Sequence, residues 1–238
     1  MQKKLLLGAA VLGISAAVFF SRQQAMPKQP EDGQPVPQQA LAAAPKELPW
    51  NLIVVNAQNP LPREFQVPLV WLDDTYRIDA RIEEELRQML RDAASAGIQL
   101  KVCSAYRSVP VQRRLYEQKT AEYQALGYAY EAAQKEAGKW VAPPGCSEHH
   151  TGLTVDIVSQ QYQALDDQFS YTAAYQWLKN NVASYGFIER YPLGKEEITG
   201  ISFEPWHFRY VGKAAAEQIA ANGTTLEEYI EIWQTAQA

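Results

Sequence analysis

The stretch from Arg22 to about Glu47 sets the outer limit on what this chain can fold into. It is rich in Gln, Pro and Ala, as in Gln29-Pro-Glu-Asp-Gly-Gln-Pro-Val-Pro-Gln-Gln39, and has no apolar periodicity. Such a segment cannot bury enough surface to offset the entropy of ordering it, so residues 22–48 read as a linker. The folded part is then residues 49–238, long enough to bury a core without disulfide help.

Ahead of the linker, Lys3 and Lys4 precede an apolar run from Leu5 to Phe20, broken only by Gly8, Gly13 and Ser15. Charge followed by an apolar run is the layout of an export signal. As helix the run spans roughly 24 Å, against about 30 Å for a bilayer core. Residues 1–21 therefore read as a signal peptide or an N-terminal membrane anchor, with a buried helix as the third reading. No Cys follows the run, which excludes a lipoprotein anchor. The two lysines would stay inside and the rest would pass out.

Net charge is −5, with no cluster of Lys and Arg, so no nucleic-acid surface is expected. Nothing implies a second subunit, and a monomer is expected. An exported protein meets oxidising conditions, so Cys103 and Cys146 are permitted to bridge. Two small buried thiols satisfy the sequence equally well.

Within the domain, Ile82, Leu86, Met89, Leu90 and Ala93 recur at helical spacing, predicting a helix over 79–96 that stops at Gly97. Ile98 to Cys103 alternates as a strand. Ser108 as N-cap and Pro110 in the first turn open a helix to about Leu126, and a second covers 128–137. Val141-Ala-Pro-Pro-Gly-Cys146 is a loop. Gly152 to Val158, Phe187 to Tyr191 and Trp206 to Tyr210 are predicted strands. Helices are predicted over 171–185, 213–221 and 226–235, with Thr224 or Thr225 capping the last. Helices and strands mix without a βαβ rhythm. That predicts an α+β fold with a small, mostly antiparallel sheet flanked by helices.

The chain has three histidines: His149, His150 and His207. A catalytic zinc site takes about three protein ligands and keeps one position open. His149 is followed seven residues later by Asp156, and a turn at Gly152 leading into a strand can bring both to one end of a sheet. His207 would come from a neighbouring strand. Glu204 lies three residues before His207, close enough to act on a water without being a ligand. By spacing alone this metal reading and satisfied core histidines both stay open.

Ser147-Glu-His-His-Thr-Gly-Leu-Thr-Val-Asp156 resembles the S-x-H-x-x-G-x-x-x-D motif of VanY-type D,D-carboxypeptidases. Glu204-Pro-Trp-His207 resembles that family's E-x-W-H motif, and Ser104-Ala-Tyr-Arg-Ser108 with Gln112 its S-x-Y-R-S…Q element. Tyr185 to Pro192 also fits, so the resemblance covers roughly Leu69 to Gly212. It implies a zinc metallopeptidase that trims peptidoglycan stem peptides at the outer face of a bacterial membrane or in the cell wall. The implied fold is the small α+β type shared with lysostaphin-like and hedgehog-like zinc domains, with the zinc at the sheet.

By position, the resemblance makes His149, Asp156 and His207 the ligands of one Zn2+ and Glu204 the general base. It makes Arg107 the arginine that meets substrate or the developing oxyanion. Gln112 and Ser147 match positions expected to hold the substrate's terminal carboxylate, and Tyr106 and Trp206 are placed with them at the substrate. His150 stands where Gln is common, and Thr154 where Ala is frequent. Trp50, Trp71, Trp140, Trp177 and Trp233 are expected in the core or packed on helices.

The implied reaction is removal of the C-terminal D-alanine from a stem peptide. An L,D-carboxypeptidase acting on tetrapeptide stems and a cell-wall endopeptidase use the same motifs. A wall-binding module without catalysis would be expected to lack a ligand or the base, and none is missing. Two His and one carboxylate also make the Fe(II) facial triad, against which Glu204 and export both argue.

Overall fold

A computed structural model describes residues 47–236. The N-terminal apolar run and most of the linker lie outside the described residues, and so does any test of them. No helix among the described residues is long and apolar enough to cross a membrane.

The first pair of strands, β1 (Leu69–Trp71) and β2 (Arg77–Asp79), forms an antiparallel hairpin that the sequence pattern did not announce. Asp79 then caps a 3-10 turn, its carboxylate accepting from the Arg81 amide. Helix α1 (Glu83–Ser95) follows and buries Leu86, Met89 and Ala93 along one stripe. It starts later than its periodicity suggests because the 3-10 turn takes up Ala80–Ile82.

Strand β3 (Leu100–Ser104) leads into an extended segment and then α2 (Val109–Ala125), with Pro110 in the first turn as expected. Helix α3 (Tyr130–Ala137) packs back on α2. Strand β4 (Thr154–Ser159) is buried along its whole length. Helix α4 (Ala173–Asn181) runs into a 3-10 turn that Gly186 ends in the left-handed region. Then come β5 (Phe187–Glu189), a single-turn helix α5 (Glu196–Thr199), β6 (His207–Tyr210), α6 (Lys213–Asn222) and α7 (Leu226–Thr235). Thr225 and Glu228 close a capping box at the start of α7.

The main sheet has the order β3-β4-β6-β5 and every pairing is antiparallel. This is the α+β arrangement expected from the sequence. Period-2 alternation divides the central strands into two faces. Val155, Ile157, Phe208 and Tyr210 join Ile82, Leu86, Met89 and Leu178 in the larger core. Thr154 and Asp156 of β4 stand opposite Arg209 and His207 of β6. A second cluster, with Leu52, Ile188, Val211, Ile219, Leu226 and Ile230, holds α6 and α7 to the edge of the sheet.

Cys103 and Cys146 are not bridged. Trp50 and Trp71, expected in the core or packed on helices, are 42% and 59% exposed. Each ring carries a guanidinium over its face, Arg81 at 3.7 Å and Arg77 at 5.3 Å.

Candidate metal centre and substrate cleft

The site is built where the two central strands meet an irregular turn. Asp156 and His207 are direct register partners on β4 and β6. His149 comes from the 3-10 turn Glu148–Thr151, which Gly152 ends with φ 70°. A Cβ there would sit 2.8 Å from the Asp79 backbone nitrogen, so glycine is needed both for the turn and for the close approach of β2.

Backbone pairing laces this turn to the segment after β3. The Arg107 amide donates to the His149 carbonyl at 3.1 Å. His149 Nδ1 lies 2.7 Å from the Ala105 carbonyl and His150 Nδ1 lies 2.6 Å from the Arg107 carbonyl. A carbonyl can only accept, so each Nδ1 carries the proton and each Nε2 presents a lone pair.

From there the two neighbouring histidines diverge. His150 Nε2 accepts from the Gly145 amide at 3.1 Å, so both of its nitrogens are used. His149 Nε2 is buried and has no hydrogen-bond partner. It stands 3.3 Å from Asp156 Oδ2, while His207 Nδ1 stands 3.2 Å from Asp156 Oδ1. His149, Asp156 and His207 offer ligand atoms that all lie within 4.8 Å of one another. Zinc at about 2.0–2.1 Å from tetrahedral ligands would place those ligands about 3.4 Å apart. The three residues fit a metal ion, and the orphaned His149 nitrogen and Asp156 Oδ1 have the chemistry of donors without an acceptor.

Charge around the centre points the same way. Burial and Arg107 push His149 down to about 4, so its imidazole is neutral at neutral pH. Burial would raise Asp156, but the neighbouring His207 imidazole holds it well below the usual carboxylate range. His207 is pulled up to about 10 by Asp156, Glu148 and Glu204, although burial opposes them. Asp156 and Glu204 stand 3.2 and 3.3 Å from His207 Nδ1, and a divalent cation held there would offset their charge.

Glu204 is held in the turn before β6, its amide donating to the Tyr191 carbonyl at 3.2 Å. Its Oε2 lies 3.3 Å from His207 Nδ1. Burial raises its pKa from the ordinary value, with His207 pulling the other way. A buried carboxyl shifted upward beside a metal-binding group is suited to take and return a proton.

These groups open onto a cavity of about 330 Å³. Arg107, Gln112, Ser147 and Trp206 all line it, as the sequence motifs led one to expect. Arg107 Nε is buried without a partner. Gln112 is engaged differently from its expected role: its Nε2 donates to the Ala142 carbonyl at 2.7 Å and its Oε1 is the unpaired atom. It therefore offers an acceptor, which suits an N–H better than a carboxylate. Tyr106 does not line the cleft. Neighbours in an extended segment point to opposite sides, so with Arg107 facing the cleft Tyr106 turns away, against Arg77. Trp140, expected in the core or packed on helices, lies on the cleft wall.

Four residues escaped the sequence reading. Tyr191 lines the cavity with its ring 4.6 Å from that of His207. Glu148, Arg190 and Arg209 form a fully buried cluster behind His207. Glu148 Oε1 accepts from Arg190 Nε at 2.8 Å and from Arg209 Nη1 at 2.7 Å. The available signal for Glu148 was its place between Ser147 and His149; Arg190 and Tyr191 lie within the matching stretch Tyr185 to Pro192, and Arg209 lies just after the Glu204–His207 motif, but the resemblance gave none of them a role.

The model of the VanY D-alanyl-D-alanine carboxypeptidase family matches residues 75–213. The chain belongs to that family. A D-alanyl-D-alanine carboxypeptidase of Enterococcus faecalis is 44% identical over 184 residues, covering 77% of this chain and 67% of that protein. The solved structure of VanYB in complex with D-alanine-D-alanine has a TM-score of 0.71 at 44% identity, over 77% of this chain and 98% of that one. A mutant of the vancomycin-resistance D,D-pentapeptidase VanY, in complex with Zn(II), has a TM-score of 0.70 at 43% identity, over 76% and 99%. The VanY match thus includes His149, Asp156, Glu204 and His207 of the candidate metal centre and Arg107 of the cleft.

Proposed function

We propose that this chain is a zinc-dependent D-alanyl-D-alanine carboxypeptidase that removes the C-terminal D-alanine from peptidoglycan stem peptides. The observation that carries it is the convergence of His149 Nε2, Asp156 and His207 Nδ1 beside Glu204 at one wall of an open cleft, in a chain of the VanY family. His149, Asp156 and His207 would hold one zinc. When bound there, zinc supplies Lewis acidity and lowers the pKa of a water to about 7.

The chain's own groups account for the rest. Glu204 takes a proton from water and returns it to the leaving amine, its raised pKa bringing it closer to neutrality. Arg107 presents an unpaired guanidinium N–H to the terminal carboxylate or the developing oxyanion. Trp206 and Tyr191 wall the cleft and exclude water near His207. Ser147 adds a hydroxyl two residues from His149.

The charged and then apolar N-terminus supports action outside the cytoplasmic membrane, where stem peptides occur. Incubation with pentapeptide and tetrapeptide stems, with products read by mass, tests the specificity. Loss of one alanine from the pentapeptide alone is the expected result. Trimming of the tetrapeptide alone would make the enzyme an L,D-carboxypeptidase.

A further inference from the structure

Zinc-binding histidines are commonly oriented by a carboxylate on their second nitrogen. Behind His207, on the side away from Asp156, stands Glu148. Its Oε2 faces His207 Nε2 at 3.7 Å, an ion-pair distance and not a formed hydrogen bond. That carboxylate is not free to move. Both guanidinium groups that hold its Oε1 are themselves anchored, and all three side chains are fully buried. Arg209 Nη2 donates to the Asn51 and Ile53 carbonyls at 3.1 and 2.8 Å. Arg190 makes a two-pronged pair with Glu227 at the start of α7, at 2.9 and 2.6 Å. Two carboxylates and two guanidiniums balance in charge. Asn51, Ile53 and Glu227 all lie outside the residues matched by the family model.

We propose that Glu148 is a positioning residue for the metal: its carboxylate faces and favours the His207 Nε2–H tautomer, leaves Nδ1 bare for zinc, and is held in place by Arg190, Arg209 and, through Arg190, the C-terminal helix. The inference depends on His207 being a zinc ligand, as proposed above. It assigns a task to a Glu that has no access to the cleft and to a helix remote from the chemistry. Without that carboxylate the imidazole can turn or take the other tautomer, and the ligand set loses its preorganisation.

The test measures zinc affinity of the full chain by competition with a chromogenic chelator, without reference to turnover. Glu148→Gln should bind zinc about 10–100-fold more weakly than the wild-type chain, as loss of such an outer partner commonly does. Glu227→Gln keeps Glu148 and should weaken binding to a smaller degree. Lys195→Ala removes a different bridge to α7, at 2.9 Å from Glu228, and should lower the melting temperature without moving zinc affinity. Equal zinc affinity in wild type and Glu148→Gln overturns the inference. Should Glu148→Gln fail to fold, 15N spectra of zinc-loaded wild type decide: His207 protonated at Nε2 supports it and protonation at Nδ1 overturns it. A wild-type chain that binds no zinc would instead overturn the proposed function, so the two failures are distinguishable.

Discussion

Asp156 and His207 face each other across the two central strands of the sheet, and the carboxylate and imidazole meet at 3.2 Å. Strand register therefore sets the candidate metal centre. A slip of one residue would turn one partner to the apolar face and replace it with Val155, Ile157 or Phe208. The bulge between Val102 and Ser104 brings Ser104 opposite Asp156, and from there the chain delivers Arg107 to the same end of the sheet.

The two adjacent histidines should separate cleanly. His149 Nε2 has no protein partner, whereas both His150 nitrogens are engaged. His149→Ala and His207→Ala should each remove most bound zinc, and His150→Ala should keep about one zinc per chain, read by metal analysis of purified protein. Zinc loss in His150→Ala with retention in His149→Ala would reverse the ligand assignment.

Gly152 carries a prediction about stability and not chemistry. Its φ of 70° and the 2.8 Å approach of the Asp79 nitrogen leave no room for a side chain. Gly152→Ala should cost about 1–3 kcal/mol, and a domain of this size should lose about 2–4 °C of melting temperature per kcal/mol. An unchanged melting temperature would show that the turn and β2 yield to a methyl group without strain.

Much of this was legible in the sequence, and the parts that were not share a cause. The capping box at Thr225 and the strands carrying Asp156 and His207 could be read from residue type and period. So could His149, Asp156, Glu204 and His207, which the fold brings together at the candidate metal centre. The hairpin of β1 and β2 was missed because three-residue strands give too short a pattern to stand out. Glu148, Arg190 and Arg209 were missed because charged residues are assigned to the surface, and only the fold shows them neutralising one another inside. Tyr106 was misplaced because motif membership does not say which way a side chain points in an extended segment. Trp50 and Trp71 were expected in the core or packed on helices, but each is exposed with a guanidinium over its ring.

The thiols give an independent check on the site's surroundings. Cys103 Sγ donates to the Asp156 carbonyl at 3.4 Å, and burial together with Asp156 pushes its pKa up to about 12. At pH 8 only a fraction on the order of 10⁻⁴ is thiolate, so native Cys103 should resist alkylation. Denatured, unreduced protein should take up two alkyl groups by mass, one per free cysteine. Uptake of none would establish a disulfide and contradict the described geometry.

Exopeptidase action should depend on Arg107, whose Nε is buried and unpaired in the cleft. Arg107→Lys keeps the charge but loses the planar fork, and kcat/KM should fall by about 10-fold or more. Amidating the substrate's C-terminus should harm the wild-type enzyme to a similar degree. Cleavage of the amide as fast as the acid would favour an endopeptidase working on the same metal centre.

The central claim is that Glu204 moves the proton while His149, Asp156 and His207 hold the metal. Its most direct test is Glu204→Ala, assayed for bound zinc and for release of D-alanine from a pentapeptide stem in the same preparation. The account predicts about one zinc per chain, an unchanged melting profile and a kcat lowered about 10²–10⁴-fold. Full turnover in the variant would contradict it, and so would loss of zinc together with activity, which would make Glu204 a ligand and not the base.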